Sequence, residues 1–209
     1  MKAPMAAEYY DKIFTSVDDY RAPYRDSRYY VLWTQVLAFL RRVESPKILE
    51  IGCGPGQFAH YLYDEGFRDY RGFDFSPEAV RRAGEVCPQS FQVGDAMDED
   101  SYTADYNVAV ALEVLEHVSD DLGLLRHLRE GTVLIFSLPT FDDEAHVRFF
   151  RTPQDIAQRY GSLVNIRQIV PIGPWFVCAG FVRGPGGPPV RCDSSDLLAR
   201  VQARLLGIA

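Results

Sequence analysis

KILEIGCGPGQFAHYL, residues Lys47–Leu62, opens as a short apolar run, Ile48-Leu49-Glu50-Ile51, and breaks at three glycines two residues apart, Gly52, Gly54 and Gly56. It resumes with helical spacing at Phe58, Ala59, Tyr61 and Leu62. That pattern is a strand, a tight turn and a helix. Glycines stand where the backbone takes positive φ or approaches something closely. Three of them at a strand–helix junction imply a ligand lying against the main chain. The helix start beyond adds free N–H groups and a partial positive charge. A dinucleotide site would read G-x-G-x-x-G, but here the third glycine comes one residue early and Gln57 fills its place. Glu50 at the strand end is expected to point into the crevice, where a carboxylate suits a cationic ligand better than a pyrophosphate.

The surrounding chain is consistent with one soluble domain. It has 209 residues, 47% hydrophobic and 24% charged, with a net charge of −7. An acidic balance argues against a large nucleic-acid surface. The four cysteines, Cys53, Cys87, Cys178 and Cys192, show neither metal-type nor disulfide-type spacing, which reads as reduced thiols in a cytoplasmic protein. No leading apolar segment or membrane-length run is evident.

Three regions are expected. Residues 1–46 read as an N-terminal helical lid: a weak helix over Met5–Phe14, a loop around Tyr20–Arg25, and a helix capped by Asp26 or Ser27 that runs to about Val43. Its tyrosines are dense, and aromatic faces attract cations. Tyr10 is a candidate for the roof of a cofactor, and Arg25 and Tyr30 for substrate contact. Residues 47–183 alternate strands and helices, which predicts a parallel, doubly wound sheet with its ligands beyond the carboxyl ends of the strands. Glu50, Asp74, Asp95 and Glu113 all fall at such ends. The spacing puts Asp74 at the tip of the second strand, where an acid takes ribose hydroxyls. Ser76-Pro77-Glu78 then starts a helix, and Phe75 is placed to lie along an adenine. Asp95 ends a third strand and can read an adenine edge, with Met97 nearby. Leu163–Ile172 and Trp175–Val182 predict an antiparallel hairpin at the sheet edge. Residues 184–209 read as a Pro/Gly linker and a C-terminal helix.

The set ILEIGCGPG, GFDFSPEAV, VGDAM, ALEVLEHV and IFSLP before a terminal hairpin resembles motifs I to VI of small class I S-adenosylmethionine (SAM)-dependent methyltransferases. Within that family it is similar to the ubiquinone-pathway O-methyltransferases. The resemblance implies a Rossmann-like α/β fold: a seven-stranded sheet, mostly parallel with an antiparallel last strand and helices on both faces. It implies SAM as cofactor and S-adenosylhomocysteine (SAH) as product. The turn Gly52, Cys53, Gly54, Gly56 and Gln57 would hold the methionine part. Asp74 would hold the ribose hydroxyls and Asp95 and Ala96 the adenine, with Phe75, Ser76 and Met97 as further cofactor contacts. Glu113 and Val114 would close the cofactor side.

A sulfonium methyl is already activated, so alignment supplies most of the rate and a base adds to it. His117 is the candidate base, being suited to near-neutral proton transfer, with His146 as a second catalytic candidate. ExxEH followed by the histidine of PTFDDEAHVRFF also resembles the small-RNA 2′-O-methyltransferases, in which such residues bind a divalent metal. The matching set here is Glu113, Glu116, His117 and His146, an alternative in which a metal activates the hydroxyl. Glu116 and Arg148 are candidates for substrate contact, and Arg151 stands near them. The acceptor is expected to be a small molecule methylated on oxygen; N- or C-methylation, a non-catalytic SAM-binding partner subunit and a nicotinamide oxidoreductase are the alternatives. A homodimer is one assembly the reading allows.

Overall fold

The computed structural model describes residues 2–184. The C-terminal linker and helix expected after residue 184 lie outside them. The element order is α1 (Ala7–Ser16), α2 (Tyr30–Leu40), β1 (Ile48–Ile51), α3 (Gln57–Asp64), β2 (Tyr70–Asp74), α4 (Pro77–Val86), β3 (Ser90–Val93), β4 (Val108–Ala111), α5 (Asp121–Arg126), β5 (Val133–Pro139), α6 (Pro153–Tyr160), β6 (Val164–Ile172) and β7 (Trp175–Val182). The seven strands form one sheet in the order β3-β2-β1-β4-β5-β7-β6. Strands β1 to β5 pair in parallel, and β7 is antiparallel to both β5 and β6. The predicted Rossmann-like, seven-stranded sheet is the observed one.

The central strands are buried on both faces, which is why they read as unbroken apolar runs. Leu49, Ile51, Ala109, Ala111, Leu134 and Phe136 face one core, shared with Leu124 of α5 and Ile156 of α6. Ile48, Val108, Val110 and Ile135 face the other, shared with Leu32 and Val36 of α2 and Phe58 and Leu62 of α3. Period-2 alternation thus sends each strand's residues into two different layers.

Helix α1 lies two residues later than expected and α2 stops at Leu40, short of Val43; two further boundaries bear on the site. The second helix starts at Tyr30, not at Asp26 or Ser27. A 3-10 turn over Tyr24–Asp26 precedes it, and the Ser27 hydroxyl accepts from the Tyr29 N–H instead of capping a helix there. The third strand ends at Val93, so Asp95 stands in the following turn, where its carboxylate accepts the Met97 N–H at 2.8 Å. The α4 start is as predicted: Ser76 caps it, accepting from the Ala79 N–H at 3.0 Å, with Pro77 in the first turn.

The order of strands reverses at β1, whose neighbours are β2 and β4. Chain leaving β1 and chain leaving β4 diverge to opposite sides there, and the gap between them is the crevice.

Candidate active site

A cavity of about 990 Å³ occupies that crevice. The glycine turn forms its floor. Gly52 has φ +68, and a Cβ there would lie 2.6 Å from Cγ2 of Val114. Bare backbone is therefore what lets the β1 turn and the β4 turn meet. Gly56 has φ +82 and caps α3; a Cβ would lie 2.8 Å from Cα of Ala83, so this glycine serves the packing of α3 on α4.

Asp74 joins the turn to the second strand. Its Oδ2 accepts the Gly54 N–H and its Oδ1 the Ser76 N–H, both at 2.9 Å. Burial pushes its carboxyl up to about 6 against the pull of those two bonds. Each oxygen retains a second lone pair for a ligand hydroxyl. Phe75, Asp95, Ala96 and Met97 line the same end, and Cys53, Gly54 and Val114 the middle.

Glu50 lines the cavity, with its side chain largely buried and Oε2 accepting the hydroxyl of Tyr70; what differs from expectation is its charge state. Burial raises it to about 8, which keeps it neutral. Gln57 is committed as well: its amide donates to the carbonyls of Asp19 (2.8 Å) and Ala22 (2.7 Å), anchoring the loop before α2. The Ser76 hydroxyl is buried between its cap and the carboxylate of Asp11.

At the other end lies the turn after β4. Glu113 holds φ +57, a conformation few side-chain-bearing residues adopt. Its Oε1 accepts from the Ser137 hydroxyl at 2.7 Å and its Oε2 from Nε1 of Trp175 at 2.6 Å. These bonds pin the strained residue across three strands. Burial raises its carboxyl to about 7.

Glu116 is wholly buried, and neither of its oxygens has a hydrogen-bond partner. Burial, reinforced by Glu113, pushes it well above the carboxylate range. Nδ1 of His117 lies 3.0 Å from the carbonyl of Ala145, and Nδ1 of His146 lies 3.2 Å from that of Phe141. A carbonyl only accepts, so each Nδ1 carries the proton and each Nε2 keeps a lone pair. The two rings meet edge to face at 5.0 Å. Ligand atoms of Glu116, His117 and His146 all fall within 4.8 Å of one another. Glu113 is outside this cluster because Ser137 and Trp175 hold its oxygens. The four-residue metal set is therefore assembled in three of its members. Burial lowers His117 to about 4, so near-neutral titration is not what the fold gives it. The imidazole is thereby held neutral around pH 7. Tyr10 stands over this end, its ring 5.7 Å from that of His117 and its hydroxyl without a partner.

The expected substrate contacts lie elsewhere: Glu116 is wholly buried and is not part of the cavity lining. Arg25 rides on the outer face of the Tyr24 ring, and Tyr30 packs on Tyr61; neither lines the cavity. Arg148 turns away to the backbone of residues 115–119. Arg151 lies over Phe149, also outside the cavity. Their neighbours Arg28 and Tyr29 line the cavity instead, with Trp33, Trp175 and Phe141. The signal that could have found them is the helix start at Tyr30, since the residues just before it face inward.

A family model described as "Methyltransferase domain" matches residues 24–170. The chain belongs to the class I SAM-dependent methyltransferase family. The cofactor of this methyltransferase is SAM, and the glycine turn with Asp74 and the Asp95–Met97 turn forms a cradle of suitable chemistry for it. The chain is 29% identical over 136 residues to trans-aconitate 2-methyltransferase of Azoarcus sp. (strain BH72), covering 62% of this chain and 52% of that one. It is 27% identical over 89 residues to the chloroplastic tocopherol O-methyltransferase of Arabidopsis thaliana, covering 39% and 26%. This methyltransferase thus spans about half or less of the length of these curated relatives. Its fold matches that of the magnesium protoporphyrin IX methyltransferase of Synechocystis PCC 6803 with bound SAH, with a TM-score of 0.62, 17% identity and coverage of 86% and 100%. Among the described residues no helix is long and apolar enough to cross a membrane.

Proposed function

We propose that this methyltransferase methylates a hydroxyl of a small, flat, largely apolar acceptor, with His117 as the base. The observation that carries the reading is the 3.0 Å approach of His117 Nδ1 to the Ala145 carbonyl, which selects the tautomer. The His117 Nδ1–H is engaged by the Ala145 carbonyl, so Nε2 keeps its lone pair, 4.0 Å from Oε1 of Glu116, on a ring that lines the same cavity as the glycine turn. Bound SAM supplies a methyl group already activated by its sulfonium. The chain's own task is to orient the acceptor and to take up its proton at Nε2 of His117. A base held near 4 is weak, but it is never lost to protonation at neutral pH. Tyr10 and the rest of α1 would cover the acceptor, since α1 lines the cavity and is tied down by Lys2 ahead of it to Asp142 (2.6 Å) and by its own Tyr9 to Glu144 (2.9 Å).

The lining favours a small molecule over nucleic acid. Arg28 is the one Lys or Arg side chain lining the cavity among the described residues, against the acidic side chains of Asp74, Asp95, Asp120 and Asp143 and the proton-holding Glu50 and Glu113. Phosphate-rich acceptors need the opposite balance. Tyr29, Trp33, Trp175 and Phe141 offer ring faces for a planar acceptor. The name of the tocopherol relative, an O-methyltransferase, supports oxygen as the target.

The test is SAH formation from SAM with a panel of phenols and hydroxy acids, for wild type and His117→Gln. A loss of about 10²-fold or more in kcat with unchanged SAH affinity is expected for a missing general base. Equal turnover by the variant would sink the role of His117, and no SAH binding by the wild type would sink the whole reading.

A second reading is favoured by the unpartnered, fully buried carboxyl of Glu116 facing two imidazoles whose other nitrogens are held by carbonyls. That is the outer-shell arrangement of metal-ligating histidines. Glu116, His117 and His146 would hold a divalent cation, without Glu113, and the cation would lower the pKa of the acceptor hydroxyl. Calorimetry with Mn²⁺ and Zn²⁺ on EDTA-treated protein decides it: stoichiometric binding lost in His146→Ala supports the site, and no heat from either ion removes it.

A further inference from the structure

The turn over residues 115–119 carries Glu116 and His117, and it has no regular secondary structure to define its shape. Its carbonyls nevertheless converge. Nη1 of Arg148 donates to the carbonyls of Leu115 and Val118, the latter at 2.6 Å, and Nη2 donates to Ser119 at 2.8 Å. Around it the same segment makes two more bonds to the turn. The Val147 N–H donates to the carbonyl of Glu116 at 2.8 Å, and the Ala145 carbonyl accepts from the His117 ring. Behind the guanidinium stands Asp121, fully buried, with Arg148 Nη1 at 3.3 Å. Asp121 also accepts from Arg159 and from the Tyr160 hydroxyl, at 2.8 and 2.7 Å, so it is a fixed counter-charge. Backbone carbonyls withdrawn from water need donors, and a planar guanidinium fork reaches carbonyls set apart from one another through two different nitrogens, where the three N–H groups of an ammonium radiate from one.

We propose that Arg148 is a positioning residue for the base: by gathering the carbonyls of Leu115, Val118 and Ser119 it holds the turn in the shape that presents Nε2 of His117 to the cavity. The role rests on the reading of His117 as base. It acts entirely from outside the cavity, since Arg148 does not line it. Without the fork, three carbonyls lose their donor, the turn relaxes, and the bond from His117 Nδ1–H to Ala145 goes with it. The cofactor cradle, built on the turns after β1, β2 and β3, is untouched.

The chain has four histidines, His60, His117, His127 and His146, so ¹⁵N-histidine NMR resolves each ring. The experiment compares the full chain with Arg148→Met and Arg148→Lys in metal-free buffer at fixed pH, with SAH calorimetry alongside. In the wild type His117 is expected as the single Nδ1–H tautomer. In Arg148→Met the ratio of tautomers at His117 is expected to shift by about tenfold, the scale of coupling within one hydrogen-bond network. His60, His127 and the SAH affinity stay unchanged, and Arg148→Lys restores part of the bias. A merely structural arginine would lower the unfolding midpoint and leave the His117 tautomer as it was, which would overturn the proposal. Should Arg148→Met not fold, Arg148→Lys alone decides, because a lysine with full wild-type bias also overturns it. Failure of His117 as base would appear in the acceptor assay and would leave the tautomer result standing.

Discussion

Glu50 shows how one residue can mislead and still matter. A carboxylate at the end of β1 invites a role as a cation's partner, yet its oxygen takes the hydroxyl of Tyr70 and its surroundings hold it protonated. The consequence is a stability that depends on pH. Its folded value is about 8 against an ordinary 4.5, raised by burial, with Tyr70 pulling down and Asp74 pushing up. Between those limits the folded chain keeps a proton that the unfolded chain has released. The contribution is therefore full below about pH 4.5 and is lost as pH rises through about 8, at up to about 1.4 kcal/mol per pH unit. Glu50→Gln keeps the neutral acceptor and removes the titration. Urea unfolding between pH 5 and 8 should show a shallower decline for the variant. Identical slopes would assign the decline to other groups.

At the scale of elements, the glycine turn is the joint between layers. Gly56 begins α3 in a left-handed conformation against the backbone of Ala83 in α4. Gly56→Ala meets both the strain of positive φ and a contact that backbone cannot yield. A loss of about 1–3 kcal/mol is expected from the conformation alone, read as a lower urea midpoint with an unchanged slope; an unchanged midpoint would mean that α3 and α4 shift freely. The sequence made this joint legible because it is local: strand, glycines and helix lie within sixteen residues, and each signal has its own period. The acid of Asp74 was legible for the same reason, from its fixed spacing past the first strand. The N-terminal region was not. A 3-10 turn at Tyr24–Asp26 delays α2, and a change of one helical position turns a side chain by about 100°. Hence Arg28 and Tyr29 reach the cavity where Arg25 and Tyr30 do not. Arg148 was illegible because its partners are backbone carbonyls about thirty residues earlier in the chain, which carry no sequence signal.

For the whole molecule, the cavity is walled by elements that are far apart in sequence: α1, the segment before α2, and the ends of β1, β2, β4 and β7. A ligand seated there should stabilise all of them together. SAH at one hundred times its dissociation constant adds about 2.7 kcal/mol, which is about 5–10 °C in Tm for a domain of this size. Asp74→Ala should lose most of that rise at the same SAH concentration, and a variant that kept it would remove Asp74 from the cofactor's contacts. The same convergence gives the molecule an optical property. Its two tryptophans, Trp33 and Trp175, both face the cavity, and the indole N–H of Trp175 is bonded to the strained Glu113. Every tryptophan emission photon therefore originates at the binding site. Occupancy, and any rearrangement of the β4 turn, can be followed by unlabelled fluorescence in real time, with no signal from elsewhere in the chain to subtract.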